Sequence, residues 1–589
     1  MKNGILLCAI NAKYIHSNLA VRYLKKFCEA HIKGIDIAEF SINDSISSIL
    51  KKLYCSNARI YGFSCYIWNI SMVLDICSSL KKARPEAVII LGGPEVSYDA
   101  ADLLSKYSFI EYIVIGEGEA AMLDLLCFLT AGKSNLPDIP GIAFRSGESV
   151  AITEPRPDIP DLDMLPFPYD SFDGLDNRII YYETSRGCPF NCQYCLSSTI
   201  RGVRYLAMDR VRQDIKSFAN AGIKQVKLVD RTFNCDLERS IEIMQYIIDL
   251  NPSTNFHFEI AADLIDVRFL EIAGKAPDGM FQFEIGVQST NPKTLSEIKR
   301  KMDFDKVSHN VARLLSFKNA HIHLDLIAGL PYEDMESFEK SFNDVYSLNP
   351  DMLQLGFLKL LKGSGIRQGC KKYRIQHHDF PPYEVISTAW LSFKEIMELK
   401  DIENVLEQYY NSGRFRHTLD FLLQAAETEP FDFYRRLSGY WNQKGHFNAP
   451  KNVNELYTVL KCFAEDAFVN RLDNEQFGLL NEYMKLDWLL YVRSGSMPAA
   501  INRFNHAAIK EEIHGYIKNK LTDMDTFKDF KNLSLREILK QVGYEVFLRN
   551  IFADTPSQDE IVMFFPLRPS SSKKIINFAA VPLKEFTLH

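Results

Sequence analysis

Along the first 135 residues, apolar positions fall into short β-branched runs separated by amphipathic stretches. The runs Ile5 to Ile10, Asp36 to Phe40, Arg59 to Ser64, Ala87 to Leu91 and Glu111 to Ile115 predict strands, and the stretches between them carry the period of helices. This alternation predicts a Rossmann-like, doubly wound parallel α/β domain over residues 1–135, with its ligand crevice beyond the carboxyl ends of the strands. Two such ends carry Gly92-Gly93-Pro94-Glu95 and Gly116-Glu117-Gly118-Glu119. Taken alone, these glycines suit tight turns as well as a ligand's close approach.

Residues 136–178 interleave Pro137, Pro140, Pro155, Pro157, Pro160, Pro166 and Pro168 with aspartates, which excludes a long helix and predicts a connector. Alternation resumes over 179–370 with strand candidates Ile179 to Glu183, Gln225 to Val229, Phe256 to Ala261, Phe281 to Val287, His321 to Ile327 and Leu353 to Leu358. Six such units predict a partial (β/α)6 barrel, its site again at the carboxyl ends of the strands. After a second linker over 371–400, residues 401–589 read as mainly helical, as in Thr418 to Ala426, Asn454 to Glu465 and Glu475 to Val492. Two β-like runs, Glu545 to Leu548 and Ile561 to Phe565, stand near the end.

Composition narrows the function classes. The 75 acidic against 68 basic residues give a net charge of −7, which argues against a strongly basic nucleic-acid binder. The 47% apolar content supports packed cores and not disorder. The run Ile5 to Ile10 is shorter than a signal-peptide core and meets Asn11 and Lys13, and no later apolar run approaches the roughly 18 residues of a membrane span, so a cytoplasmic chain is expected. There, clustered cysteines hold metals more often than they form disulfides. Nine of the twelve cysteines are scattered, and Cys8, Cys28, Cys55, Cys65, Cys77 and Cys127 fall in strand or helix patterns where a small buried hydrophobe is the usual role.

The remaining three form one motif, Cys188-Pro189-Phe190-Asn191-Cys192-Gln193-Tyr194-Cys195, directly after the first barrel strand. A structural zinc site needs four closed ligands, and no second CxxC pair follows at a useful distance. Three thiolates on one loop suit a [4Fe-4S] cluster with one open iron. The CxxxCxxC spacing, with an aromatic before the last cysteine, resembles the radical S-adenosylmethionine (SAM) superfamily. The resemblance implies that Cys188, Cys192 and Cys195 hold the cluster and that SAM chelates its open iron. It further implies that one electron cleaves SAM to methionine and a 5′-deoxyadenosyl radical. By the same resemblance Tyr194 lies near the adenine, and Asp230, Glu284, Gln288 and Ser289, at the ends of the second and fourth strands, line the SAM pocket. Lys362-Gly363-Ser364-Gly365 follows the sixth strand, where such enzymes place a loop near the methionine.

An α/β domain ahead of such a barrel resembles the cobalamin-binding radical SAM class. This implies that Ser64, Gly92 and Gly93 lie along the corrinoid's nucleotide tail and Gly116, Glu117 and Gly118 near the corrin rim. Where cobalt takes a histidine, such domains carry Asp-x-His-x-x-Gly; here the sequence is Tyr14-Ile15-His16-Ser17-Asn18-Leu19, without the Asp and the Gly. Cobalt without a protein histidine is therefore expected, and His16 reads as a polar loop residue. Together the two cofactors imply a methyltransferase that takes hydrogen from an unactivated carbon and methylates it from methylcobalamin. A rearrangement, cyclisation or oxidation without methyl transfer is the main alternative. A methylthiotransferase fits less well, because the tail is not a basic β-barrel, and a non-enzymatic cobalamin sensor would leave the cysteines idle. The expected partners are a small-molecule, lipid or peptide substrate and an electron donor such as flavodoxin or ferredoxin.

The segment Glu407 to Phe415 resembles the start of the helical domain of a little-characterised bacterial branch of this class, and Asn411 to Gly413 is also a plain helix-ending turn. Phe431, Phe433, Tyr434, Tyr440 and Trp441 read as core, and His377-His378-Asp379 as a solvated turn.

Overall fold

The structure, a computed structural model, describes residues 4–132, 135–200, 202–492, 496–504, 509–553, 556–567 and 578–586. It divides into two compact units: residues 1–338 with 356–396, and residues 339–355 with 397–589. No helix among the described residues is long and apolar enough to cross a membrane.

The first unit opens with strands β1 (Ile5–Asn11), β2 (Ile35–Ser41), β3 (Ile60–Ser64), β4 (Val88–Gly92) and β5 (Tyr112–Val114), parallel in the order 2-1-3-4-5. Both faces of the sheet are covered by helices, so its strands read as continuous apolar runs. The predicted Rossmann-like parallel fold is found, and its sheet extends past residue 135. The expected connector contributes β6 (Ile142–Ser146) and β7 (Ser149–Ile152), an antiparallel hairpin added beside β5. Prolines flank this hairpin without entering it, and Gly147 turns it in the left-handed region at φ 64°.

The barrel strands are β8 (Ile179–Tyr182), β11 (Gln225–Leu228), β12 (Asn255–Ile260), β13 (Phe281–Gln288) and β14 (Ala320–Ala328), paired in parallel in that order, with β15 (Met352–Phe357) next in the chain. A short antiparallel pair, β9 (Ser185–Gly187) and β10 (Val203–Tyr205), interrupts the alternation after β8. Outward positions such as Val226, Phe256, Phe258, Phe281, Phe283, Ile322 and Leu324 are fully buried. Inward positions are polar. The register aligns Tyr181, Lys227, His257, Gln282 and His321 in one row, and Glu259, Glu284 and His323 in the next. An ordinary (β/α)8 barrel packs its interior with branched apolar side chains, so this lumen is built to hold something polar.

Edge strand β8 is not left open. Ile179 N–H donates to the Ile15 carbonyl (2.7 Å), and Ser17 N–H to the Ile179 carbonyl (3.3 Å), so the loop after β1 pairs with it. After β15, the expected linker forms a small hairpin, Gln376–His377 with Val385–Ser387, in which the His377 ring bonds the His378 carbonyl.

In the second unit, Phe393–Tyr409 runs into helices Arg416–Ala425, Pro430–Gln443, Val453–Ala467 and Asn474–Asp487. Phe431, Phe433, Tyr434 and Trp441 are core, as expected, while Tyr440 is half-buried. The two late β-like runs join a third, Ala579–Pro582, in a three-stranded antiparallel sheet. Asn411 does more than end a helix: its amide accepts from Leu353 N–H and donates to the Leu353 carbonyl, both at 2.9 Å. Asp487 caps the helix at Arg416 by accepting from the His417 and Thr418 amides and the Thr418 hydroxyl, and burial pushes its carboxyl up to about 7.

Gly93 is the tightest point of the first sheet. It sits at φ 111°, and a Cβ there would meet the Cys65 carbonyl at 2.6 Å. Gly93→Ala should therefore cost about 1–3 kcal/mol from the backbone alone, read as a lower urea midpoint for the first domain and less soluble protein. An unchanged midpoint would contradict this geometry.

Candidate active site

The cysteine loop is held at its base, its flank and its floor. At the base, β9 and β10 pair Arg186 with Arg204 and Gly187 with Val203. Gly187 is irreplaceable in space, because a Cβ there would lie 2.0 Å from the Gly202 carbonyl. On the flank, Gln193 N–H donates to the Ile298 carbonyl (2.9 Å) and the Gln193 carbonyl accepts from Ile366 N–H (2.8 Å). From the floor, the fully buried Asp230 carboxylate accepts from Thr184 N–H (3.0 Å), Thr184 Oγ1 (2.6 Å) and Ser185 Oγ (2.5 Å).

The three thiols have distinct surroundings. Cys188 Sγ lies 3.6 Å from Thr232 Oγ1, and Cys195 Sγ accepts from Ser197 N–H at 3.4 Å. Cys192 is buried, which raises its thiol pKa, while the Arg300 guanidinium 3.9 Å away opposes the shift and favours thiolate. Arg300 is fixed in turn by donating to the Gly286 carbonyl. No spacing rule pointed to Arg300; only the fold brings it to the loop.

The donor set fits an iron–sulfur cluster: three thiols are carried on one loop with a guanidinium beside Cys192, whereas a structural zinc site needs four closed ligands.

Of the residues expected to line a SAM pocket, several have partners inside the chain. Asp230 is spent on the loop, Ser289 Oγ donates to Glu333 (2.6 Å), and Glu284 meets Lys227 Nζ and His257 Nε2, each at 2.9 Å. Tyr194 packs beside Cys192 and Arg300. Gln288 stands apart: it sits at a register shift of β13 with φ 72°, and its buried Oε1 has no hydrogen-bond partner.

The loops beyond the first sheet's strands dock on the barrel. Arg186 reaches Glu119 (2.6 Å), Glu183 (2.8 Å) and Glu117 (3.6 Å), and Arg204 pairs with Glu117 at 2.6 Å. Glu117, expected at a corrin rim, thus has its oxygens taken by Arg204 and by Ile159 N–H (2.8 Å). Lys362 bonds Glu95 (3.0 Å) and Asp99 (2.8 Å), and Gly363 abuts the Tyr98 ring, so this loop joins the first domain instead of standing free. His16, expected as a polar loop residue, has its Nδ1 2.7 Å from the Tyr181 hydroxyl, and burial lowers its pKa.

Between these contacts the crevice offers a cradle. Gly92 and Gly93 leave β4 without side chains, Gly118 begins the helix Gly118–Ala131 under Leu24, and a Cβ on Gly116 would meet nothing within 4 Å. Ser64 accepts a long hydrogen bond from Asn18 (3.4 Å) opposite Gly92. Tyr14, Ile15, Trp68 and Tyr98 expose apolar surface on the loops after β1, β3 and β4. Of these four glycines Gly116 alone has open space where a side chain would be, and that opening beside exposed aromatics fits a broad, flat ligand.

Three family models tile the chain: a B12 binding domain over residues 5–126, the radical SAM superfamily over 182–345, and a protein of unknown function (DUF4080) over 371–564. The chain thus carries a B12-binding domain, a radical SAM domain and a DUF4080 domain, in that order. It is 24% identical over 428 residues to the 2-(S-pantetheinyl)-carbapenam-3-carboxylate methyltransferase of Streptantibioticus cattleyicolor, covering 65% of this chain and 62% of that protein. It is 26% identical to the hopanoid C-3 methylase of Methylococcus capsulatus over 50% of this chain and 58% of that one. A cyclase, the anaerobic magnesium-protoporphyrin IX monomethyl ester cyclase of Synechocystis sp., is 29% identical over 42% and 51%. The chain thus spans between half and two thirds of these relatives' own lengths. Similar solved folds are TsrM from Kitasatospora setae with cobalamin and [4Fe-4S] cluster bound (TM-score 0.53, 16% identity, 65% of this chain and 79% of that one) and OxsB with aqua-cobalamin bound (TM-score 0.54, 16% identity, 83% and 80%).

In this cobalamin-binding radical SAM protein, not every other cysteine is packing. Cys8, Cys28, Cys65 and Cys77 are buried, but Cys55, at the solvent end of helix Ile46–Cys55, is exposed, correcting that expectation. Cys235 lies 3.4 Å from the Tyr205 hydroxyl on β10.

The Glu117 clamp carries a pH signature. Burial alone would raise its carboxyl, but Arg204, Ile159 N–H and Arg186 together lower it. Its stabilising contribution is therefore present above the unfolded value of about 4.3 and is lost as pH falls through the lower folded value. The unfolding-midpoint gap between the wild type and Glu117→Gln should be full at pH 7 and close in acid; a pH-independent gap would refute the clamp.

Proposed function

We propose that the chain is a cobalamin-dependent radical SAM methyltransferase that methylates an unactivated carbon of a polar small molecule. One observation carries this reading: the loop edge of the B12-binding sheet is docked on the barrel at three places. His16 meets Tyr181 beside β8, Glu117 and Glu119 meet β9 and β10, and Glu95 and Asp99 meet Lys362 after β15. In this reading both cofactor crevices open toward one space.

When bound, the cluster with SAM supplies hydrogen abstraction and cobalamin supplies the methyl group. The chain's own residues position these groups and exclude water. Cys188, Cys192 and Cys195 are the cluster ligands in this reading, with Arg300 stabilising the Cys192 thiolate. Gln288 offers its unpaired Oε1 to SAM beside Tyr194, while Asp230, Glu284 and Ser289 act through the loops and strands they hold. Gly92, Gly93 and Gly116, with Ser64 and Gly118 adjoining, form the corrinoid wall, and Glu117 positions that wall by its ion pairs. The polar lumen supports a polar substrate over an apolar lipid. A cytoplasmic setting with a flavodoxin or ferredoxin as electron donor completes the reading.

The rival outcome, a cyclisation or oxidation without methyl transfer, is favoured by the likeness to the Synechocystis cyclase. Product analysis separates the two. After anaerobic reconstitution with iron, sulfide and hydroxocobalamin, a methyltransferase turnover yields 5′-deoxyadenosine and S-adenosylhomocysteine together. Deoxyadenosine alone on a true substrate would overturn the methyltransferase reading. Cys192→Ala should remove the cluster's visible absorbance and SAM cleavage while corrinoid binding persists; retained cleavage would refute the cluster assignment.

A further inference from the structure

The barrel lumen holds a group of side chains that the two cofactors do not account for. Among the described residues, Glu284, His323 and Asp325 are the one set of three or more His, Cys, Asp or Glu side chains whose ligand atoms all lie within 4.8 Å of one another. Strand register enforces this: Glu284 on β13 stands opposite His323 on β14, and Asp325 is two residues on, on the same face. His323 is 7% exposed and its Nε2 lies 2.9 Å from Asp325 Oδ1. Neither atom has a partner beyond this contact, which pairs the two by charge when the imidazole is protonated. His257, also 7% exposed, repeats the pattern, its Nε2 2.9 Å from Glu284 Oε2 and without a further partner.

The charge balance points the same way. Glu259, Glu284 and Asp325 face a single ammonium, Lys227, which lies 3.4 Å from Glu259 and 2.9 Å from Glu284. Arg231, the nearest other cation, is exposed at the end of β11. Three carboxyls therefore share one ammonium and the two imidazoles His257 and His323 in the lumen, a set of acceptors that a further cation would complete. Buried imidazole nitrogens converging with carboxylate oxygens are the donor set of zinc, iron(II), manganese(II) and cobalt(II) sites.

We propose that Glu284, His323 and Asp325 bind a divalent transition-metal ion in the barrel lumen. Lys227 and His257 then act on Glu284 from outside the ligand set, fixing the carboxylate that completes it. Three protein ligands leave open positions, which face the lumen and suit an anionic or hydroxyl oxygen of a substrate. The ion would thus orient the substrate, with no redox role. This inference does not rest on the methyl-transfer reading, since a metal here serves any polar substrate of the barrel.

The test uses the full chain, reconstituted anaerobically with its cluster and cobalamin so that the cysteines are occupied, then freed of loose metal on a chelating resin. Zinc is titrated by calorimetry, and bound zinc, iron and corrinoid are counted by elemental analysis and absorbance. The expected result is one zinc per chain, with affinity reduced more than about tenfold in both His323→Ala and Asp325→Asn, since even an outer partner's loss costs that much. Iron and corrinoid contents stay at the wild-type level. The proposal is overturned if the loaded wild type takes up no zinc, if both variants bind it as tightly, or if zinc and iron are lost together, which would place the ion at the cysteines. Should His323→Ala fail to fold, the near-isosteric Asp325→Asn decides the question by the same readout.

Discussion

The cluster of ion pairs around Arg186 is the contact on which the rest of the first unit depends. Arg186 sits on β9, at the root of the cysteine loop, and its guanidinium is shared by Glu183 of the barrel and by Glu117 and Glu119 of the first domain. Its neighbour across the hairpin, Arg204, takes the other side of Glu117. Two arginines of one hairpin thus lock the cysteine loop to the sheet of the B12-binding domain. All five side chains are at most 17% exposed, so the charges are poorly screened, and removing one would strand its partners in a low-dielectric setting. Planar arginine forks suit this bridging better than lysine, because several carboxylates are met in fixed directions.

Around that lock, the two sheets follow one rule with opposite interiors. Each is parallel, and each presents its loops at the carboxyl ends of the strands. In the first sheet both faces are apolar and the glycine-bearing loops make the candidate site. In the barrel the outer face is apolar and the inner face carries Lys227, His257, Glu259, Glu284, His321, His323 and Asp325. Such a lumen cannot be left to pack on itself. Its cost is offset only by internal pairing and by whatever polar ligand enters, which ties stability to function in this part of the chain.

Much of the candidate site was legible because it is local. The spacing of Cys188, Cys192 and Cys195 lies on one loop, and the glycines after β4 and β5 follow strands whose apolar runs are unambiguous. What was not legible is long-range. Arg300 comes to Cys192 from 108 residues away. Glu117 reads as a loop acid near a ligand until Arg204, 87 residues on, claims it. The hairpin over residues 142–152 was hidden among prolines, since prolines that flank a strand and prolines that forbid one look alike in a composition count.

The sequence by itself determined the order of domains, the parallel α/β character of the first two, and the thiol motif that names their chemistry. It did so because strand periodicity and loop spacing are properties of neighbouring residues. Only the tertiary structure decided which polar side chains find partners inside the chain and which keep a free atom. Asp230, Glu117 and Lys362 went to the scaffold, and Gln288 kept a free oxygen. Strand register alone brought Glu284, His323 and Asp325 to one point. A carboxylate's role depends on which cation or donor lies within about 4 Å, and that distance is set by register and docking, not by position in the chain.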